Sequence, residues 1–156
     1  MIIVDFSQVF LSNLMMQAGK YADEIDANLV RHMVLNSLKS YRNKFKNDYG
    51  EMVIACDAGN CWRKQVFPYY KAQRKRNRST DKFDWSTIFE ILDMVRDEID
   101  QYLPYPVIRV DGAEADDIIG TLVEDAPSHE PILILSGDSD FVQLQQHSNV
   151  KQYNPV

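Results

Sequence analysis

The chain has 156 residues, 45% of them apolar, which suffices for one compact domain with a full core and excludes a disordered chain. A net charge of −6 argues, over the chain as a whole, against a uniformly basic nucleic-acid binder. The two cysteines, Cys56 and Cys61, are too few for a disulfide scaffold, apolar runs stay far below the ~20 residues of a membrane span, and no secretory signal opens the chain, so the cytoplasm is the expected location.

Ile2–Phe6 reads as a first strand broken at Ser7. Asp26–Asn47 has helical spacing, with Leu29, Met33, Leu38, Tyr41 and Phe45 as its apolar stripe. Glu51–Asp57 is a second strand, and Ala58–Asn60 supplies its turn. From Ala58 to Lys82 no clean period is visible. Asp84 caps a helix to about Tyr102 whose Ile88, Ile91, Leu92, Val95 and Ile99 share one side. Pro104–Val110 is a third strand closed by Asp111-Gly112, and Ala113–Glu124 a short helix. Pro131–Ser136 is a fourth strand, Ser139–Gln146 a short helix, and Val150–Tyr153 a fifth strand. Strands alternating with helices predict an α/β fold: a mostly parallel five-stranded sheet flanked by helices on both faces.

Sites in open parallel sheets form at the carboxyl ends of the strands. Asp5 ends the first strand and Asp57 the second; Glu114, Asp116 and Asp117 follow the third, and Asp138 and Asp140 the fourth. Seven carboxylates from four segments thus converge on one edge. Like charges this dense need a cation, and oxygen ligands suit Mg²⁺ or Mn²⁺. His32, His129 and His147 are scattered and make no zinc pattern. Any single acid among 23 is a solvated residue or a cap more often than a ligand, and Asp138 can cap the helix after it. Acids after all four main strands are not explained that way.

Between Arg63 and Lys82 the charge is +7, from Arg63, Lys64, Lys71, Arg74, Lys75, Arg76, Arg78 and Lys82 against Asp81 alone, leaving −13 for the remainder. Such a basic segment beside an acidic pocket suits contact with phosphates. Lys71 and Arg74, three apart, share a helical face and offer a point charge and a bidentate fork. Trp62, Tyr69 and Tyr70 interleave with them and can stack on bases of a single strand.

The segments IIVDFSQ, VIACDAG, WRKQVFPYYKAQR, DGAEADD and ILSGDSDFVQL together resemble the flap endonuclease, or 5′ nuclease, family over essentially the whole chain and in order. The combination of YKxxR, EADD and GDSD is far more specific than any one part. The resemblance implies a PIN-like catalytic core and two divalent ions, Mg²⁺ or Mn²⁺. It further implies 5′→3′ exonuclease, flap endonuclease and ribonuclease H activity on RNA–DNA hybrids and on 5′-flap or duplex DNA, removing RNA primers in phage DNA replication. By position, Asp5, Asp57, Glu114, Asp116 and Asp138 are expected at the first metal, with Asp140 and Asp117 toward the second. Lys71 and Arg74 are expected at the scissile phosphate. Asp5, Asp57, Asp116, Asp138, Lys71 and Arg74 form the catalytic set; Arg63, Lys64, Tyr70, Lys71, Arg74, Lys75, Arg76 and Arg78 are expected against nucleic acid. Residues from about 63 to 85 resemble the family's arch or bridge.

Family members continue into a helix–three-turn–helix part that binds duplex DNA, so residues 1–156 are expected to be the N-terminal catalytic domain of a longer, monomeric nuclease. A single-stranded DNA-binding protein and a sliding clamp are implied as partners by resemblance alone. Two rival readings are a non-catalytic nucleic-acid-binding piece and a Mg²⁺-dependent phosphatase. The phosphatase has little need of a +7 segment, and its phosphorylated aspartate motif is missing after the first strand.

Overall fold

A computed structural model describes residues 1–18, 25–80 and 83–155, apart from the side chains of Ala18 and Lys75. Asp81 and Lys82, counted in the basic segment, lie outside the described residues, as does the side chain of Lys75.

The order of elements is β1 (Ile2–Asp5), α1 (Phe6–Ala18), α2 (Ala27–Tyr49), β2 (Met52–Cys56), α3 (Trp62–Val66), α4 (Ala72–Thr80) and α5 (Trp85–Tyr102), then β3 (Val107–Arg109), α6 (Ala115–Asp125), β4 (Ile132–Leu135), a 3₁₀ helix (Ser139–Gln146) and β5 (Val150–Tyr153). The five strands form one sheet in the order β3-β2-β1-β4-β5, every neighbouring pair parallel. The expected sheet is therefore present.

Alternation along each strand sends residues to two cores. Ile2, Val4, Met52, Ile54, Leu133 and Leu135 pack with α1, α2 and α5 on one face. Ile3, Ala55, Ile132 and Ile134 pack with Ile118, Ile119 and Val123 of α6 and with Phe141 on the other. Burial on both faces explains why these strands read as continuous apolar runs.

Four expectations need correction. Ser7 does not end an element; it lies in α1, whose Val9, Phe10 and Leu14 are fully buried. The stripe of α2 runs through Val30, Val34 and Leu38 with Tyr41 and Phe45 packed against the core, so Leu38, Tyr41 and Phe45 were expected correctly, whereas at its start Val30 and Val34 take the places expected of Leu29, which is 41% exposed, and Met33. Residues 58–80 carry the two short helices α3 and α4 rather than irregular chain. The third strand is also shorter than expected: its three residues begin only after Pro106, whose carbonyl accepts from Ile54 N at 2.9 Å.

Both long helices start on aspartate caps. Asp26 accepts from Asn28 N and Leu29 N, and Asp84 from Ser86 N and Thr87 N. Asp26→Ala should cost about 1 kcal/mol of stability, read as a lower urea midpoint with an unchanged slope. No helix among the described residues is long and apolar enough to cross a membrane.

Candidate metal and nucleic-acid site

The sheet winds outward from β1 through β2 to β3 and then returns to place β4 on the other side of β1. The β1/β4 junction is the point where strand order reverses, the place in an open parallel sheet where a ligand crevice is expected beyond the carboxyl ends of the strands. Val4 pairs with Leu135, so the next residues along, Asp5 and Ser136, stand side by side. Ser136 Oγ bonds Asp5 Oδ2 at 2.9 Å and Gln8 Oε1 at 2.8 Å, and accepts from Asp138 N at 3.1 Å. Asp5 Oδ1 accepts from Gln8 N at 3.2 Å, so the same carboxylate starts α1 and faces the crevice.

Asp5 is 7% exposed. Burial pushes its pKa up to about 6, against bonds from Ser136 and Gln8 N that lower it, with Asp57 and Asp116 adding like-charge repulsion. Asp116 is raised as well, first by burial and then by Asp57, Asp138 and Glu114, with Lys71 pulling the other way. Asp5, Asp57, Asp116 and Asp138 therefore share one electrostatic neighbourhood.

Asp57, just past β2, is exposed. It accepts from Ser7 Oγ at 2.7 Å and from Ala115 N, the first amide of α6, at 2.8 Å. A carboxylate at a helix N-terminus is favoured by the helix dipole. Asp138 caps the 3₁₀ helix, Oδ1 accepting from Asp140 N at 3.0 Å, so the capping role holds alongside its place at the crevice. Asp140 is exposed. Gly137 leaves room here for two side-chain ends: a Cβ would lie 2.7 Å from Asn154 Oδ1 and 3.0 Å from Gln8 Nε2, which would have to shift.

Glu114 and Asp117, at the start of α6, face the chain's own cations. Arg63 forks onto Asp117 at 2.7 and 2.8 Å and reaches Glu114 at 3.2 Å. Tyr70 Oη and Lys71 Nζ donate to Glu114 at 2.8 and 2.7 Å. Burial raises the pKa of Glu114, but Lys71 and Tyr70 outweigh it and the net shift is downward. Arg63 lowers that of Asp117. Lys71 takes a left-handed backbone, φ 54°, which is uncommon for a residue with a Cβ and is one place where strain gathers at working sites.

The remaining basic residues separate into two kinds. Lys64, Arg74 and Arg76 are exposed to solvent. Arg78 is partly buried, its guanidinium 4.6 Å from the Trp85 ring and 4.9 Å from the Phe89 ring, which ties the end of α4 to the start of α5.

Among the described residues no three His, Cys, Asp or Glu side chains are drawn together as a preformed coordination group. The donor chemistry nevertheless fits a hard divalent cation. The groups at this edge are carboxylate oxygens, and two of them, Asp5 and Asp116, carry pKa values raised first by burial and further by the neighbouring carboxylates. Cys56 and Cys61 are free and buried, and burial pushes the Cys56 thiol up to about 12. The sequence reading missed Ser7, Gln8 and Ser136. Their signal was proximity, polar residues two and three places after Asp5 and one directly before Gly137-Asp138.

Residues 4–155 match the family model for the 5′-3′ exonuclease, N-terminal resolvase-like domain. The chain is 38% identical to ribonuclease H of Enterobacteria phage T4 over 159 aligned positions, covering 99% of this chain and 52% of that protein. It is 32% identical to DNA polymerase I of Chloroflexus aurantiacus over 125 positions, covering 79% of this chain and 12% of the polymerase. The fold is similar to that of phage T5 5′-exonuclease with bound zinc (TM-score 0.72, 16% identity, 98% of this chain and 54% of that one). It is likewise similar to phage T5 flap endonuclease in a complex with DNA and metal ions (TM-score 0.74, 17% identity, 97% and 53%). The chain thus spans about half the length of the phage proteins it matches.

Proposed function

The chain belongs to the 5′-3′ exonuclease family, as its N-terminal resolvase-like domain, and on that premise we propose that it is the metal-binding half of a divalent-metal-dependent 5′ nuclease. Its substrates are RNA–DNA hybrids and 5′-flap or duplex DNA, and its role is primer removal in phage DNA replication, in the cytoplasm of the host cell. The observation that carries this reading is the set of mutually repelling carboxylates, Asp5, Asp57, Asp116 and Asp138, at the switch point of a parallel sheet beside a basic segment.

Asp5, Asp57, Glu114, Asp116 and Asp138 would hold one Mg²⁺ or Mn²⁺, with Asp117 and Asp140 serving a second. When bound, such ions supply Lewis-acid polarisation of the phosphate and lower the pKa of water. The chain's own part is to orient and to neutralise. Ser7 and Ala115 N fix Asp57, and Ser136 and Gln8 fix Asp5. Lys71 and Arg74 offset charge building on the phosphate. Arg63 holds Asp117 and Glu114 in place, while Lys64, Tyr70, Lys75, Arg76 and Arg78 belong to the nucleic-acid side of the site. A monomer, a single-stranded DNA-binding protein and a sliding clamp complete the proposal.

The test is cleavage of a 5′-labelled flap duplex and an RNA–DNA hybrid by this chain, with Mg²⁺ and with chelator. Products that need the metal support the reading. Binding of both substrates without cleavage would favour the non-catalytic alternative for this half of the protein.

Lys71→Ala should slow the chemical step by roughly 10²-fold, of the order seen when one charge-stabilising donor is lost, with a smaller effect on KM. A pure KM defect would remove Lys71 from the phosphate.

A further inference from the structure

The turn that carries Asp138 begins where the sheet stops supplying hydrogen bonds. β4 ends at Leu135, and Ser136 N donates to Tyr153 O at 3.2 Å as the ladder with β5 runs out. In a parallel ladder the next donor, to Ser136 O, would be the backbone N–H of residue 155. That residue is Pro155, which has none. Ser136 is fully buried, so its carbonyl needs a partner from the protein. Gly137 follows and brings no side chain to anchor the turn.

A side chain from β5 takes the missing place. Gln152 Nε2 donates to Ser136 O at 2.8 Å and to Asp138 O at 2.7 Å, so one amide grips the chain on either side of Gly137. Two carbonyl oxygens accept only from the nitrogen end of an amide, which sets its orientation. The oxygen end accepts from Gln145 Nε2 of the 3₁₀ helix at 3.1 Å. Gln152 is half-buried on the face of β5 shared with Val150, the side covered by α6 and the 3₁₀ helix.

The gripped turn aims two groups at the carboxylate edge. Ser136 Oγ bonds Asp5 and accepts from Asp138 N, and Asp138 Oδ1 accepts from Asp140 N. The contacts of Asp138 with Ser136 and Asp140 lie within the turn and move with it. They do not by themselves fix where the carboxylate points relative to Asp5. Gln152 supplies a tie from outside the turn.

We propose that Gln152 is a positioning residue for the metal site: its amide, standing in for the N–H that Pro155 lacks, sets where the Asp138 carboxylate points. It acts through Asp138, in contact with neither cation nor substrate. The proposal rests on the reading of Asp138 as a metal ligand and extends the site to the edge strand of the sheet.

The experiment titrates Mn²⁺, with free ion counted by electron paramagnetic resonance, into wild type, Gln152→Met, Gln152→Leu, Asp138→Asn and the double variant Gln152→Met/Asp138→Asn. The urea midpoint of each is taken in chelator. Methionine and leucine are close to glutamine in volume and donate nothing. Each Gln152 variant should bind Mn²⁺ roughly tenfold more weakly, the scale on which loss of a group that orients a ligand acts. In the Asp138→Asn background the same change should cost less than about twofold further. Its effect on the urea midpoint should be alike in both backgrounds, because Ser136 O loses its donor in either. Metal binding weakened equally with and without the Asp138 charge would mean a structural role alone and overturns the proposal. So does wild-type affinity in both Gln152 variants beside a weakened Asp138→Asn. Wild-type affinity in Asp138→Asn itself would overturn the reading of Asp138 as a ligand and the proposal with it, so the two failures are distinguishable.

Discussion

Asp138→Asn and Asp57→Asn each lower metal-dependent cleavage by at least roughly 10²–10³-fold, the scale on which removing a single charge-stabilising group acts. The fold survives both changes. Asp57 is exposed, and an asparagine there keeps an oxygen for Ala115 N while its amide nitrogen can donate to Ser7 Oγ. At 138, the asparagine oxygen still caps the 3₁₀ helix through Asp140 N. What each variant removes is negative charge at the crevice, without changing shape. The loss should therefore appear in kcat/KM with an unchanged urea midpoint, and cleavage at the wild-type rate would take these residues out of the catalytic set.

Asp5→Asn stabilises the metal-free chain at pH 7.5 while it abolishes cleavage. The folded-state pKa of Asp5 is raised to about 6 from 3.8 by burial, so its contribution to stability is full below pH ~4 and is lost as pH rises through 6. A shift of that size corresponds to about 3 kcal/mol at most. Asp116 is shifted in the same direction and adds to the decline. Glu114 and Asp117 are shifted the other way, so their contribution is present above the ordinary carboxylate range and is lost as pH falls below it. Metal-free stability should thus peak between about pH 4 and 6. In Asp5→Asn the decline toward pH 7.5 flattens, since the amide keeps an acceptor for Gln8 N and donates to Ser136 Oγ. Urea midpoints in chelator at pH 5 and pH 7.5 measure this, and a wild type equally stable at both pH values contradicts it.

Such a trade of stability for charge is common at working sites, and it bears on what could be read from the residues alone. The strands were legible because both faces are buried, which makes IIV, MVIAC and ILIL apolar throughout. The capped helix α5 was legible from Asp84 and its stripe. Helix α1 was not, because its polar residues look like a loop after a strand: Ser7 and Gln8 turn to the site, and Asn13 bonds Val9 O and Ser37 inside the core. Asp5 followed three residues later by Gln8 does have the spacing of a helix start, and that signal was passed over. Only the first turns of α2 were misjudged, because Leu29 and Val30, like Met33 and Val34, are both apolar and only packing chooses between them.

At the site, the convergence of acids on one edge followed from strand order in the chain. Which acids face one another did not, because that depends on β4 crossing back to lie beside β1. The same crossing brings Ser136 to Asp5. The grip of Arg63 on Asp117 and the left-handed backbone at Lys71 are tertiary facts with no local signature.

The proposed metal site is the set of carboxylates at the β1/β4 junction. It is tested most directly by titrating Mn²⁺ into the chain and counting free ion by electron paramagnetic resonance, beside Asp116→Asn. Saturable binding is expected, weakened at least roughly tenfold in the variant, since a charged ligand is lost from a site of hard oxygen donors. Binding that does not saturate, or that is equally tight in the variant, would contradict it.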